Sequence, residues 1–219
     1  MSKARVNHLN MKLYSFPMSS NARRAMLVVH HLELPVEVVV VDLVKGGHKT
    51  PDYVALNPSG KVPTLVDGDF VLTESWAIMA YLADQKPGPL YPSEPKARGH
   101  VQQWMFWAAS HVMPQISALN FENMLKAFFK LGPTDPARVA LAEKELRTAA
   151  AVLDAELGKH TWVAGDTLTI ADFAIAAPLM ATERAKLPVT DFVNLQRWFS
   201  AIKALPAWQA TEPTMALPT

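Results

Sequence analysis

"MKLYSFPMSSNARRAMLVVHHLELPVEVVVVDL", residues 11–43, decides the fold. Its first five residues read as a short strand. The Ser19-Ser20-Asn21 run suits a helix start, and Ala22, Met26, Val29 and Leu32 recur behind it at helical spacing. Residues 35–43 are β-branched and almost continuously apolar, which predicts a strand buried on both faces. Strand, helix and strand in this order make a βαβ unit with a right-handed parallel crossover.

The pattern extends outward from this unit. Residues 44–60, "VKGGHKTPDYVALNPSG", are polar and rich in helix breakers, with one irregular helical turn expected near Tyr53–Leu56. "VPTLV" (62–66), "DGD" and "FVL" (70–72) predict a hairpin turning at Asp67-Gly68. "TESWAIMAYLADQ" (73–85) closes the region as a helix. Residues 86–95 hold four prolines in ten positions, the composition of a linker.

Everything beyond the linker has a helical pattern. A long segment over 96–130 should kink at Pro114. Asp135 as N-cap and Pro136 at the first helical position open another helix, and residues 167–185 and 191–205 supply two more. In "LTIAD" (168–172), Thr169 and Asp172 have the spacing of a capping box, which serves folding rather than chemistry. The resulting division is an N-terminal extension (1–10), a small α/β domain (11–84), a linker (85–95), an all-α helical domain (96–211) and a tail (212–219).

Composition narrows the function. The 219 residues contain no cysteine, so disulfides, thiolate metal sites and any mechanism using the protein's own thiol are excluded. If thiol chemistry happens here, the thiol arrives with a ligand. The seven histidines lack metal-ligand spacing, and no metal is expected. A formal net charge of +1 gives no reason to expect nucleic acid or an anionic membrane as partner. The start has no apolar signal core, so a cytoplasmic protein is expected.

Several short motifs carry candidate chemistry. Pro63 is either the first residue of an edge strand or part of a cis Val62–Pro63 bond that leaves the Val62 backbone free to pair with an extended peptide. Ser75 is either a plain N-cap or, with Glu74, a head-group site in which Glu74 takes an ammonium and the helix start takes a carboxylate. His48 and Lys49 are solvated loop charges or holders of a second carboxylate. Ser19 and Ser20 cap the first helix or direct a hydroxyl at a bound thiolate. No His–Asp partnership suggests a serine hydrolase.

Together, "KLYSFPMSSNARR", "VDLVKGGHKTPDYVALNPSGKVPTLVDGDFVLTESWAIMAYLA", "LYP" and "GDTLTIADFAIA" resemble the cytosolic glutathione transferases, over essentially the whole chain. The serine-type branch, similar to the phi and theta classes, is nearest. The resemblance implies a thioredoxin-like N-terminal domain followed by an all-α C-terminal domain. It also implies a homodimer, a role in detoxification, and glutathione as co-substrate with a small hydrophobic electrophile. By the same resemblance Ser19 matches the serine that bonds the glutathione sulfur, with Ser20 a second candidate. His48 and Lys49 match the holders of the glycine carboxylate, Val62 and cis-Pro63 the backbone partner of the cysteinyl unit, and Glu74 and Ser75 the γ-glutamyl binders. Phe16, Met18, Trp107 and His111 are the residues expected to face the electrophile. Two positions depart from the family pattern: Lys61 stands where glutamine is common, and Trp76 where arginine is. Lys61 retains the capacity to contact a glutathione carboxylate. The same site also suits a glutathione-dependent peroxidase, or a non-catalytic glutathione- or ligand-binding interaction module.

The implied mechanism is electrostatic. A thiol with a pKa of about 8.5 is only about 3% thiolate at pH 7. Lowering that pKa by about two units, at a cost of about 2.7 kcal/mol in interaction energy, makes most of it nucleophile.

Overall fold

The computed structural model describes residues 11–213. The expected N-terminal extension and all but the first two residues of the expected tail lie outside the described residues. The first elements are β1 (Met11–Ser15), α1 (Ser20–Leu32), β2 (Glu37–Val40), a 3₁₀ turn (Gly47–Lys49) and α2 (Pro51–Leu56). They are followed by β3 (Thr64–Asp67), β4 (Phe70–Leu72) and α3 (Ser75–Asp84). The strands form one sheet in the order β2-β1-β3-β4, with β2 parallel to β1 and the other pairs antiparallel.

The βαβ unit read from residues 11–43 is present, with two differences. β2 is an edge strand paired only with β1, and it is exposed rather than buried: Val38 is 41% and Val40 62% accessible. Composition could not distinguish an edge from a centre, because both favour valine. The second difference is in α1, which buries Ala22, Ala25, Leu27, Val28 and Val29 but also Arg23 and Arg24, while Met26 and Leu32 are only half-buried. The hairpin turns at Gly68 (φ 61°), as read, but β3 begins at Thr64, so Pro63 lies outside the strand. The helix expected near Tyr53–Leu56 starts earlier, at Pro51, where the Thr50 hydroxyl accepts the Tyr53 N–H at 3.4 Å.

The second group of elements comprises α4 (Pro95–His111), α5 (Met113–Asn120), a π turn (Phe121–Leu125), α6 (Lys126–Phe128) and α7 (Pro136–Leu157). After these come α8 (Ile170–Ala176), a 3₁₀ turn (Ala177–Ala181), α9 (Thr182–Ala185), α10 (Val193–Lys203) and α11 (Pro206–Ala210). The long segment breaks at Val112, with Pro114 in the first turn of α5. Asp135 caps α7, its carboxylate accepting the N–H of Ala137 and Arg138. Thr169 and Asp172 form the capping box of α8. The fully buried Asp172 carboxylate also accepts the Val163 N–H and the Trp198 indole N–H, each at 2.9 Å. Burial pushes this carboxyl up from its ordinary pKa, while the donors of Val163, Thr169 and Trp198 pull it down.

Of the described residues, 11–86 together with 206–213 form one compact unit; Pro87–Leu205 form the other. The sequence reading assigned 206–211 to the helical domain, whereas α11 belongs with the first unit. The reason is local: the Arg23 guanidinium lies 3.7 Å from the centroid of the Trp208 ring and donates to the Trp208 carbonyl at 3.0 Å. The first unit is filled by Leu13, Leu27, Leu65, Ile78, Met79 and Leu82, and the second by Ile116, Leu119, Leu146, Phe173, Trp198 and Ile202.

Candidate active site

Strand register gathers the candidate residues at one end of the sheet. Ser15 pairs with Val40 on parallel strands, Tyr14 opposes Thr64, and Leu65 opposes Leu72. The exits of β1, β2 and β4 and the entrance of β3 therefore share one end. From them follow Ser19, the His48–Lys49 turn, Glu74 and Ser75, with Lys61–Pro63 immediately preceding β3.

Ser19 is the N-cap of α1. Its hydroxyl oxygen accepts the Ala22 N–H at 3.2 Å, and its own N–H donates to the Phe16 carbonyl at 2.9 Å. The hydroxyl proton has no acceptor among the described residues. It sits where the aligned dipoles of a 13-residue helix make the local potential positive. Ser20 is the first residue of the helix and does not cap it.

The Val62–Pro63 bond is cis, and Val62 makes no backbone hydrogen bond among the described residues. The segment holding it is clamped by two residues that sequence reading missed. The Tyr53 hydroxyl donates to the Lys61 carbonyl at 2.6 Å and lies 3.0 Å from the Thr64 hydroxyl. The buried Asn57 amide donates to the Lys61 carbonyl at 2.8 Å and to the Thr64 hydroxyl at 3.1 Å. Burial raises the Tyr53 pKa and the Thr64 bond opposes this, so the phenol stays a donor. The signal was the Asn57-Pro58 pair itself, an amide with several bonds to satisfy beside a breaker.

Gly60 (φ 58°) brings this clamp against the 3₁₀ turn: a Cβ on it would lie 3.2 Å from the His48 carbonyl. His48 and Lys61 are thus on adjoining backbone segments. The His48 Nδ1 is buried without a hydrogen-bond partner among the described residues. Lys49 and Lys61 are exposed and make no ion pair there.

Ser75 is not the N-cap of α3, contrary to its plainest reading. The first intrahelical bond runs from the Ile78 N–H to the Glu74 carbonyl at 3.0 Å, so Glu74 holds the cap position. Its side chain makes no capping bond, and its backbone has φ 66° and ψ 113°. A non-glycine residue costs on the order of 1–3 kcal/mol in such a region, and such residues concentrate at functional sites. Ser75 is buried at the first helical position. Trp76 next to it lies under the fully buried Arg24 guanidinium, 4.6 Å from the ring centroid. Arg24 also donates to the Asn21 carboxamide in the first turn of α1. Burial lowers the Arg24 pKa to about 9, which leaves it charged at neutral pH.

The residues expected to face an electrophile divide between the units. Phe16 is buried in a cluster with Ala22, Val41, Tyr53 and Val62, and the half-buried Met18 packs against that cluster. In the second unit, Trp107 is half-buried on α4, edge-on to Trp104, and its ring lies 5.9 Å from that of the exposed His111. Among the described residues no three His, Cys, Asp or Glu side chains are grouped as a metal site would need. No helix there is long and apolar enough to cross a membrane.

A four-stranded mixed sheet with this cis-proline edge, joined to a helical unit, defines a thioredoxin-like domain of the kind followed by an all-α domain. Residues 9–84 match the glutathione S-transferase N-terminal domain family and residues 112–206 the corresponding C-terminal domain family. The chain is 36% identical to glutathione S-transferase 3 of Zea mays over 95% of its own length and 96% of the relative's. It is 32% identical to glutathione S-transferase F10 of Arabidopsis thaliana, covering 92% and 96%. The crystal structure of a theta class glutathione S-transferase from Xanthomonas axonopodis pv. citri, with glutathione bound, superposes with a TM-score of 0.83 at 30% identity, covering 95% and 99%. The chain belongs to the glutathione S-transferase family.

Proposed function

We propose that the protein is a glutathione transferase that binds glutathione at this end of the sheet and holds its sulfur as thiolate for attack on a small hydrophobic electrophile. The observation that carries the proposal is that, among the described residues, the Val62 backbone, the His48 Nδ1 and the Glu74 carboxylate gathered here make no hydrogen bonds of their own. Val62 offers an unpaired N–H and C=O to the cysteinyl unit. Glu74 offers a free carboxylate to the γ-glutamyl ammonium, and the open start of α3 at Ser75 meets the adjoining carboxylate. Lys49 and Lys61 supply positive charge, and His48 a ring nitrogen, for the glycine carboxylate at the opposite end of the tripeptide.

Ser19 is the group placed by this reading against the sulfur. Its oxygen already accepts the Ala22 N–H, which leaves the hydroxyl proton available to donate to the sulfur, and a donor to the charged form lowers a thiol's pKa. Met18, on the same connection, contacts the electrophile, and Phe16 supports it from the cluster beneath.

Ser19→Ala tests the reading. Glutathione affinity should stay nearly unchanged, because the contacts to both carboxylates, the ammonium and the backbone remain. The pKa of the bound thiol should rise by about one unit, equivalent to about 1–2 kcal/mol. Conjugation of an aryl chloride at neutral pH should fall several-fold and recover in part as pH rises. Ser20→Ala should change little. A pH–rate profile identical in both variants and the parent protein would show that neither hydroxyl meets the sulfur.

A further inference from the structure

A cavity lies in the first unit, apart from the residues gathered at the candidate site. It is about 180 Å³ in volume and is lined by Ser15–Pro17 at the exit of β1, Arg23 and Met26 of α1, Val38 and Val40 of β2, and the 210–212 segment after Trp208. Val38 and Val40 alternate with Val39, so both project from the same face of the edge strand. None of the residues assigned above to glutathione lines it; only Phe16 is shared with the earlier candidates.

Arg23 sets the chemistry of this cavity. The residue is 4% accessible, and among the described residues the hydrogen-bond and ring contacts of its guanidinium are to neutral groups: the Trp208 carbonyl at 3.0 Å, the Thr211 hydroxyl at 3.3 Å and the Trp208 ring. No carboxylate among the described residues forms an ion pair with it. Burial lowers its pKa to about 10, and the charge of Glu212 offsets this in part. Glu212 is exposed, so solvent screens its field. A buried cation held by neutral oxygens, with donors to spare in its planar fork, is matched by a carboxylate. The rest of the lining is mostly apolar (Phe16, Pro17, Met26, Val38, Val40 and Ala210), with Ser15, Thr211 and the exposed Glu212 as its other polar members; a cavity of about 150 Å³ is enough for a benzene ring.

We propose that this cavity is a binding site for single-ring aromatic carboxylates, separate from the glutathione site, with Arg23 as the anion partner and Met26, Val38 and Val40 as the ring's walls. The site requires a ligand that carries both features. A neutral ring leaves the guanidinium unmet, and a small inorganic anion leaves the apolar wall wet.

Calorimetric titration of the full-length protein with sodium benzoate tests this. A ligand of this size should bind in a saturable one-to-one manner with a dissociation constant of about 1 mM or tighter. Benzamide, the neutral isostere, should bind about tenfold more weakly or worse. Because Arg23 also docks α11, the decisive variant is Val40→Trp: its site is largely open to solvent, and the larger side chain fills the cavity while leaving Arg23 in place. That variant should fold as the parent does, keep its glutathione affinity, and lose benzoate binding by about tenfold or more. Saturating glutathione should not displace benzoate. Equal affinity for benzamide, unchanged benzoate affinity in Val40→Trp, displacement by glutathione, or no saturation up to about 10 mM would each overturn the proposal.

Discussion

Asp172→Ala is expected to destabilise the second unit by about 3 kcal/mol or more, the largest single-residue effect anticipated for this chain. The carboxylate accepts the N–H of Val163, the N–H and hydroxyl of Thr169 and the indole N–H of Trp198, all buried. Removing it strands donors that water cannot reach, each at about 1–3 kcal/mol. The thermal midpoint should fall by roughly 6–12 °C for a chain of this length. Asp172→Asn keeps the shape but turns an amide donor toward one of the stranded donors, so it should recover only part of the loss. Scanning fluorimetry on the three proteins decides the matter; a shift below about 2 °C for the alanine variant would remove Asp172 as the anchor of this unit.

Glu74→Ala is expected to weaken glutathione binding by about 1–3 kcal/mol, or about 5- to 150-fold, because the ligand's ammonium loses its charged acceptor. Backbone strain complicates the result, since alanine inherits φ 66° at this position. Glu74→Gly separates the two contributions. It removes the same carboxylate and also relieves the left-handed conformation, so it should bind glutathione as poorly as Glu74→Ala yet melt higher. Titration and melting of both variants are needed. Unchanged affinity in either would mean that the head group is held elsewhere.

The fold was legible where local chemistry decides structure. The β1–α1–β2 order, the Asp67-Gly68 turn, the Asp135 cap and the Thr169–Asp172 box all follow from patterns a few residues long. What escaped notice depended on neighbours remote in sequence. The exposure of Val38 and Val40 follows from strand order, which a valine run does not encode. The burial of Arg23 and Arg24 is of the same kind: each lies over a tryptophan, Trp208 or Trp76, whose position only the fold supplies. The candidate site was named through the family resemblance, and register then brought Ser19, His48, Lys61–Pro63 and Glu74 to one end of the sheet. The clamp by Tyr53 and Asn57 and the strained backbone of Glu74 carried no pattern that periodicity could detect.

The docking of α11 on α1 has a consequence for how the chain is made. The first unit draws its closing piece, with Trp208 and Thr211, from the far side of the roughly 120 residues that build the second unit. At about 5–20 residues per second, those residues take on the order of ten seconds to synthesise. Throughout that interval the nascent first unit carries Arg23 without the ring and carbonyl that later cover it. A unit begun before the second one is therefore completed only after the second has been made.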